Sequence, residues 1–379
     1  MINIEDFIAG HYESGVGGYK YFVPNHINDV WQWTDPKINL LLERAACALG
    51  TLNSFSRMVP NIDLFIQLHV TKEAVHSSRI EGTRTQIDEA LLPKTEVDPE
   101  RRDDWQEVNN YIRAIDDAID NLKRLPISSR LIKNTHRILL EGVRGEYKMP
   151  GEYRTSQNWI GGNTLMDARY IPPHFQLLND LMSDFEQFLN NDEIAVPALI
   201  KIAIAHYQFE TIHPFLDGNG RMGRLLITLF LVQAGLLGKP LLYLSTYFEK
   251  NKDLYYENLN NIRVKNDMKQ WIIYFLVGVE QTANVGVETL EKVLDFKNTI
   301  EDEIYEKYKS RSTNAIKLIH YLLKCPNVTV ENVMEICDIS YKAANDLIKM
   351  MCDDKYLVES TGKSRNRRFV FESYLNLFK

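Results

Sequence analysis

The stretch HPFLDGNGRMGR, residues 213–224, differs from the helical stretches on either side of it. The apolar pattern of one helix ends near Glu210 and the pattern of another runs to Gln233, so the stretch is predicted to be a loop that leads into a helix N-terminus. Glycines around Asn219 let the backbone turn its N–H groups inward, and the positive end of the following helix dipole adds to them. The stretch therefore predicts an anion-binding site.

Four side chains of this stretch suit phosphate chemistry. Arg221 and Arg224 lie three residues apart at the helix start, where guanidinium groups can bind phosphate oxygens in pairs. Asp217 supplies a carboxylate of the kind that holds Mg²⁺ beside bound phosphates, and His213 can take a proton from an attacking hydroxyl near neutral pH. Each feature alone is common in turns and on solvated helix faces, but their coincidence favours a polyphosphate site. The stretch lacks the GxxxxGK[ST] pattern and the preceding strand, which excludes a P-loop NTPase.

The rest of the chain has mainly helical periodicity, with apolar residues three and four apart. Helices are predicted at roughly 37–53, 62–81, 103–122, 128–142, 174–190, 195–210, 221–234, 252–261 and 267–308. Between them, residues 151–173 contain the turn sequence Gly161-Gly162-Asn163. We interpret this segment as an exposed hairpin, although an ordinary surface loop also fits the pattern.

The composition changes near residue 310. Three short helices are predicted at about 313–324, 329–337 and 341–352, followed by two strand-like triplets at 356–358 and 369–371. This order resembles a winged helix-turn-helix module. Residues 310–379 contain 11 Lys and Arg against 8 Asp and Glu, while the remainder contains 33 against 43, so a module of net charge +3 follows a body of net charge −10.

The overall composition is that of a globular protein. Of 379 residues, 45% are hydrophobic and 25% are charged, which excludes wholesale disorder and fibrous repeats. The length suggests two or three structural units. The net charge of −7 disfavours a surface that is basic throughout, although a local basic patch stays open.

Cysteine content and apolar runs predict a cytoplasmic protein without a membrane span. The four cysteines include no CxxC pair and are too few for a disulfide framework. The N-terminal residues lack the pattern of a secretory signal. The longest apolar tract, residues 225–237, is interrupted by Thr228, Gln233 and Gly235 and is shorter than the ~20 residues that a membrane-spanning helix needs.

The stretch at 213–224 is similar to the signature HxFx(D/E)GNGRxxR of Fic-domain proteins, and every fixed position of that pattern is met. Further similarity covers roughly residues 5–300 and includes YFVPN at 21–25, YRTSQ at 153–157, YIPP at 170–173 and LYLSTYFEKNKDLYY at 242–256. The resemblance implies a mainly α fold, the Fic or Fido helical bundle with a β-hairpin flap, here followed by the small winged helix-turn-helix domain. The implied N-terminal region with an inhibitory helix (about 71–82) is 1–100, the catalytic core with the flap (151–173) and the motif (213–224) is 101–308, and the winged-helix-like domain is 310–379.

The resemblance also implies an activity, the transfer of AMP from ATP to a Ser, Thr or Tyr hydroxyl of a target protein with release of pyrophosphate. His213 would be the general base, and Asp217 would ligate Mg²⁺ between the α- and β-phosphates. The other implied site residues bind nucleotide or target. They are Gly218, Asn219, Gly220 and Gly223 around the phosphates, Arg221 on the triphosphate, Arg224 on the γ-phosphate, Tyr255 at the adenine, and Ile160 and Gly161 in the flap that aligns the target backbone by strand addition.

An inhibitory element is implied as well. Ser77, Glu81 and Gly82 match the pattern [ST]xxxE[GN] of the family's inhibitory helix, and without the family context they would be compatible with a solvated helix end. Glu81 would pair with Arg224 and take this arginine from the γ-phosphate, so the isolated protein is expected to be largely inactive. In some relatives the same glutamate positions a water that removes AMP, so the reverse reaction is a further hypothesis.

Two classes of function stay open at this point, a nucleotidyl-transferring enzyme and a DNA-binding regulator that senses a nucleotide. His213 and Asp217 favour the enzyme, because a sensor needs an anion site but no base. A different nucleotide donor also stays open, and analogy suggests a homodimer. The loop at 360–368 carries four positive charges and no negative one, so the C-terminal module is a candidate for docking DNA or protein.

Overall fold

The predicted helices form most of the fold. The computed structural model describes residues 1–58, 62–143, 145–362 and 367–378. Its helices are α1 (Pro36–Met58), α2 (Asp63–Ile80), α3 (Ile87–Ala90), α4 (Arg102–Leu122), α5 (Ser129–Leu139), α6 (Leu178–Asn190), α7 (Ala198–Ile212), α8 (Asn219–Gln233), α9 (Ser245–Lys250), α10 (Lys252–Lys265), α11 (Met268–Tyr308), α12 (Ser312–Lys324), α13 (Val330–Cys337), α14 (Tyr341–Asp353) and α15 (Glu372–Leu375). The mainly helical fold class is therefore confirmed.

The strands are short and lie at the two ends of the chain. They are β1 (Ile2–Asn3), β2 (Gly10–Ser14), β3 (Lys20–Pro24), β4 (Trp31–Gln32), β5 (Asn327–Thr329), β6 (Val358–Glu359) and β7 (Arg368–Val370). β1 pairs with β4 in parallel, β2 pairs with β3 in an antiparallel hairpin, and β7 lies between β5 and β6 in an antiparallel sheet. The periodicity analysis missed the N-terminal strands, although glycines at 15, 17 and 18 between two short polar-apolar stretches are a hairpin signal.

The two helices that flank the 213–224 loop form the centre of the core. Every residue of α7 from Leu199 to Ile212 is buried, and α8 is buried over most of its length. The long helix α11 packs along α1 and against α7, where the indole N–H of Trp271 donates to the carbonyl of Ala203 at 2.8 Å. A loop between two largely buried helices has little freedom to move, so the core fixes the position of the 213–224 loop.

The segment predicted as a hairpin, residues 151–173, contains one antiparallel bridge rather than two strands. Ile160 N donates to Tyr170 O at 2.8 Å and Tyr170 N donates to Ile160 O at 3.1 Å. The residues between them form a loop in which the Asp167 carboxylate accepts the N–H groups of Asn163 and Thr164 at 3.0 and 2.6 Å. These side-chain hydrogen bonds replace the cross-strand bonds that would extend a hairpin.

Residues after 310 follow the predicted order of three helices and two strands. The helical path is interrupted between α11 and α12 at Lys309, whose φ is 46°. β5 is a strand that the pattern did not predict. The module packs α12 against α2, and Arg368 binds both oxygens of Glu96 at 2.5 and 2.8 Å. Of the four basic residues in its loop, Lys363 and Arg365 lie outside the described residues, Arg368 is engaged by Glu96, and Arg367 donates to the Asn345 side chain at 2.9 Å. Docking of DNA or protein by this loop stays a prediction.

Candidate active site

Arg154 fixes the backbone at the start of the loop. α7 ends at Ile212, and the next residue, His213, has a left-handed φ of 49°. The buried guanidinium of Arg154 donates to the carbonyl of His213 at 3.0 Å and to that of Pro173 at 2.5 Å, and the backbone N–H of Arg154 donates to Pro214 O at 2.9 Å. One arginine therefore joins the beginning and the end of the 151–173 segment to the backbone of His213.

The side chain of Asn219 closes the loop on itself. Its Oδ1 accepts the N–H of Phe215 at 2.9 Å, and its Nδ2 donates to the carbonyl of Phe215 at 2.8 Å. α8 then begins after Gly218, whose N–H donates to Asp217 Oδ1 at 2.6 Å. The first N–H groups of a helix have no acceptor within that helix, so the start of α8 is suited to binding an anion.

Two glycines of α8 make room for carboxylates. A Cβ atom on Gly220 would lie 2.2 Å from Glu81 Oε1, and one on Gly223 would lie 2.3 Å from Glu210 Oε1. Both distances are far below van der Waals contact. A larger residue at either position would therefore displace the carboxylate that approaches α8, Glu81 from the end of α2 or Glu210 from α7.

His213 is a neutral base in this environment. The residue is partly exposed, and its Nδ1 atom is buried without a hydrogen-bond partner among the described residues. Burial, followed by the positive charge of Arg154, lowers the pKa of His213 to about 4. The imidazole is consequently unprotonated at pH 7 and able to accept a proton.

Arg221 and Asp217 lie beside the start of α8. Arg221 is buried and forms an ion pair with Glu107 of α4 at 2.9 Å, while Asp217 lies 3.7 Å from Arg221 with a side chain that is 41% exposed. Within the described residues, no group of three or more His, Cys, Asp or Glu side chains could hold a metal by itself. Asp217 is nevertheless a suitable single ligand for Mg²⁺, which commonly takes one carboxylate and completes its shell with phosphate oxygens and water.

Arg224 is bound by the end of α2. Its guanidinium donates to Ser77 Oγ and Ser77 O, both at 2.9 Å, and to Glu81 Oε1 at 2.7 Å. Burial alone would raise the pKa of Glu81, but the charge and hydrogen bond of Arg224 hold this pKa below its usual value. Glu81 is therefore ionised at neutral pH. α2 ends here, with Gly82 at a φ of 109°.

Glu210 is a second acidic group near Arg224 that the sequence analysis did not select. It is buried on α7, and its Oε1 has no hydrogen-bond partner in the described part of the chain. Burial raises the pKa of Glu210 to about 7, against the opposing charge of Arg224. An acidic residue inside the apolar stretch 198–212 was the available signal, because an unpaired acid rarely lies in a buried helix without a role.

Tyr255, predicted at the adenine, is a core residue in the structure. It is 1% exposed, its hydroxyl bonds to His206 Nε2 at 2.8 Å, and its ring stacks on Phe248 at 4.4 Å. Its neighbour Tyr256 is 42% exposed. Burial and then the charge of Glu81 raise the pKa of Tyr256.

The flap residues Ile160 and Gly161 lie at the bridge that ends the flap. The Ile160 side chain is 37% exposed, and the neighbouring Trp159 is 40% exposed. Gly161 has a φ of 69° and begins the turn. Two hydrogen bonds fix the chain where it leaves the flap. The Tyr170 hydroxyl donates to Thr211 O at 2.6 Å, and Ile171 O accepts the N–H of Phe22 at 3.0 Å.

His136 of α5 binds the backbone of the 213–224 loop, and the sequence analysis did not select it. Its Nδ1 accepts the N–H of Gly151 at 2.9 Å, so its proton is on Nε2, which donates to Asp217 O at 2.9 Å. The ring stacks on Phe215 at 3.6 Å with an interplanar angle of 5°. Burial lowers the pKa of His136 to about 4, and the ring is neutral at pH 7.

Comparison with known proteins identifies the family. The model described as "Fic/DOC family N-terminal" matches residues 39–120, and the model "Fic/DOC family" matches residues 126–231.

Residues 39–120 and 126–231 of the chain are a Fic/DOC family N-terminal domain and a Fic/DOC family domain.

Curated relatives of this Fic protein include enzymes from flies. The "Protein adenylyltransferase Fic" of Drosophila erecta is 33% identical over 168 residues, which are 42% of this chain and 32% of that protein. The protein of the same name from Drosophila virilis is 30% identical over 218 residues, or 55% of this chain and 41% of that protein. The chain thus spans less than half of the length of these relatives.

Solved structures share the fold. A Fic family protein from Desulfovibrio desulfuricans G20 has a TM-score of 0.54 and 20% identity, with 89% of this chain and 96% of that chain covered. A Fic domain containing signaling protein from Bacteroides thetaiotaomicron has a TM-score of 0.53 and 18% identity over 68% of this chain and 97% of that one. In the described part of this chain, no helix is both long and apolar enough to cross a membrane.

His136 should be a positioning residue of this Fic domain. The His136→Phe variant keeps a ring that can stack on Phe215 but leaves Gly151 N–H and Asp217 O unpaired, so the free energy of unfolding should fall by about 1–3 kcal/mol. From the sequence, Asp217 is predicted to hold Mg²⁺ beside ATP, so the Mg²⁺-dependent affinity for ATP, measured by calorimetry, should also fall when the Asp217 backbone is no longer fixed. His11→Phe, at an exposed position, is the control. Unchanged Mg²⁺-dependent affinity in a folded His136→Phe variant would show that this histidine only fills space.

Proposed function

We propose that this protein transfers AMP from ATP to a Ser, Thr or Tyr hydroxyl of a target protein, with release of pyrophosphate, and that Glu81 inhibits the transfer. One observation carries the proposal: the neutral base His213, the N-terminus of α8 and the buried Arg224 surround one loop, and Glu81 occupies Arg224. The name protein adenylyltransferase, which the Drosophila relatives carry, supports the same chemistry.

His213 would start the reaction by accepting the proton of the target hydroxyl. The hydroxyl oxygen would form a bond to the α-phosphorus of ATP, and the bond from that phosphorus to the bridging oxygen would break, so that pyrophosphate leaves with the electron pair. The N–H groups at the start of α8 would stabilise the negative charge on the phosphates throughout. The chemistry depends mainly on placement and charge, as is general for phosphoryl-type transfer.

Asp217 would hold Mg²⁺ beside the phosphates, and the ion when bound neutralises charge on the α- and β-phosphate oxygens. Arg221 would contact the triphosphate from its fixed position against Glu107, while Arg224 would hold the γ-phosphate. The exposed Tyr256 is the more accessible ring for contact with the base of the nucleotide. Ile160 and Gly161 would align the backbone of the target beside the flap.

Glu81 would inhibit by competing with the γ-phosphate for Arg224. Both are anions that accept hydrogen bonds from the same guanidinium, so one excludes the other. The Glu81 side chain is 33% exposed, whereas Arg224 is 2% exposed, so the carboxylate can leave toward solvent while the arginine stays in place. The ionised Glu81 is also the group that could position a water for the reverse removal of AMP.

Removing Glu81 should activate the protein. A hydrogen bond to a charged group contributes about 1.5–3 kcal/mol, which corresponds to about 10- to 100-fold in the population able to bind ATP productively. The Glu81→Gly variant should therefore incorporate label from α-³²P ATP into itself and into lysate proteins at least about tenfold faster than the wild type. Glu306→Gly, which changes an exposed glutamate near the end of α11, is the control. Equal rates in wild type and Glu81→Gly would refute inhibition by this helix.

His213 should be required for transfer but not for ATP binding. In the Glu81→Gly background, His213→Asn removes the base while keeping a residue that tolerates the left-handed backbone, and His213→Ala removes the side chain. Loss of a general base should slow labelling by about 10²- to 10⁴-fold, with ATP affinity nearly unchanged in calorimetry. Labelling at the rate of the parent variant would contradict the assignment of His213 as base.

Asp217 should control the response to Mg²⁺. In the Glu81→Gly background, Asp217→Asn keeps an acceptor for the N–H of Gly218 but removes the charge that favours a divalent cation. The concentration of Mg²⁺ for half-maximal labelling should rise at least about tenfold, because one charge-assisted ligand is lost. A Mg²⁺ titration that coincides with that of Glu81→Gly would place the cation elsewhere.

A further inference from the structure

A second cavity lies against α2, away from the loop that binds phosphate in the proposal above. It is enclosed by α2, α9, α11 and the segment before α9, and its empty volume is about 780 Å³, part of it open to solvent. None of its lining residues belongs to the 213–224 loop. Its innermost residue on α2, Glu73, precedes Glu81 by eight positions, or about 12 Å along the helix.

The lining of this cavity has an excess of positive charge. Lys72 of α2 is half-buried and Lys250 of α9 is exposed, and within the described chain neither forms an ion pair with a carboxylate. Both lysines line the same cavity, and burial and then the charge of Lys250 lower the pKa of Lys72. Two lysines that line one cavity without an ion-paired carboxylate favour the binding of an anion there.

The one carboxyl group in the lining is already engaged. Glu73 is 2% exposed and accepts hydrogen bonds from the Tyr111 hydroxyl at 3.1 Å, from Ser245 N at 3.2 Å and from the Ser245 hydroxyl. Burial raises its pKa. Glu73 therefore directs both oxygens to these neutral donors, and within the described chain it forms no ion pair with either lysine.

Two polar atoms in the lining lack partners. The Tyr243 side chain lies in the wall and is only 6% exposed, yet its hydroxyl has no hydrogen-bond partner among the described residues. The same is true of His69 Nε2, which is buried. Both atoms are covered from solvent, so the positively charged groups that a ligand could reach in the lining are Lys72 and Lys250. Leu241, Tyr247 and Val285 supply an apolar surface beside them.

We infer that this cavity binds a small organic anion, a molecule with a carboxylate or phosphate group on an apolar or aromatic body, and that Lys72 and Lys250 bind the anionic group. The site goes beyond AMP transfer and does not depend on it. Its position on α2 places it on the same helix as Glu81.

The test uses the full chain and three aromatic probes in titration calorimetry without ATP. Phenyl phosphate and benzoate represent the two kinds of anion, and benzyl alcohol is the neutral control. We expect at least one anionic probe to bind at one site, with an affinity at least tenfold greater than that of benzyl alcohol. The corresponding affinity should fall at least fivefold in Lys72→Gln and in Lys250→Gln, but not in Lys292→Gln, which changes an exposed lysine of α11.

Two further measurements keep the outcome clear. The Lys72→Gln and Lys250→Gln variants should keep the thermal stability of the wild type, because neither lysine forms an ion pair within the described chain, so weaker binding by these variants cannot be assigned to unfolding. Glu81→Gly should bind the probes as the wild type does, whereas binding at Arg224 would become tighter in that variant. The proposal fails if neither anion binds, if both bind no better than benzyl alcohol, or if binding responds to Glu81→Gly and not to Lys72→Gln. None of these readouts requires AMP transfer, so they are independent of the proposed activity.

Discussion

Two guanidinium groups are buried in the first turns of α8, and each is neutralised by a carboxylate from a distant part of the chain. An unpaired charge at such depth would cost several kcal/mol, so the fold must bring an acid to each arginine. Glu107 of α4 meets Arg221, and Glu81 at the end of α2 meets Arg224. The packing of α2 and α4 around the loop is thus tied to the charge that makes the loop suitable for phosphates.

The two pairs differ in a way that separates structure from control. In the pair of Arg221 and Glu107, the side chains are 4% and 0% exposed, and separating them would leave two charges without water. In the pair of Arg224 and Glu81, the arginine is equally buried but the carboxylate is 33% exposed and lies at a helix end. Only the second pair has a partner that can return to solvent, so an incoming phosphate can replace it at a much smaller cost.

Local patterns located the loop and the helices, because glycines mark the loop and periodicity marks the helices. The pairing of Glu81 with Arg224 was implied by the family resemblance of Ser77, Glu81 and Gly82, since their spacing alone also fits a solvated helix end. Glu107 and His136 escaped because their partners lie on other elements, and no local pattern states which buried polar residue will meet which. Tyr255 and Tyr256 show the same limit, since neighbouring aromatic residues on one helix differ in burial only through what packs against them.

The flap illustrates how long-range contacts set geometry that spacing does not reveal. Its pairing consists of one bridge, yet its base is held firmly, because Arg154 binds the carbonyls of His213 and Pro173 while Tyr170 binds Thr211 O. The end of α7 is therefore the common support of the base and of the flap. In the reaction proposed above, the base and the segment that aligns the target need a fixed mutual position, and a shared support provides it without a long sheet.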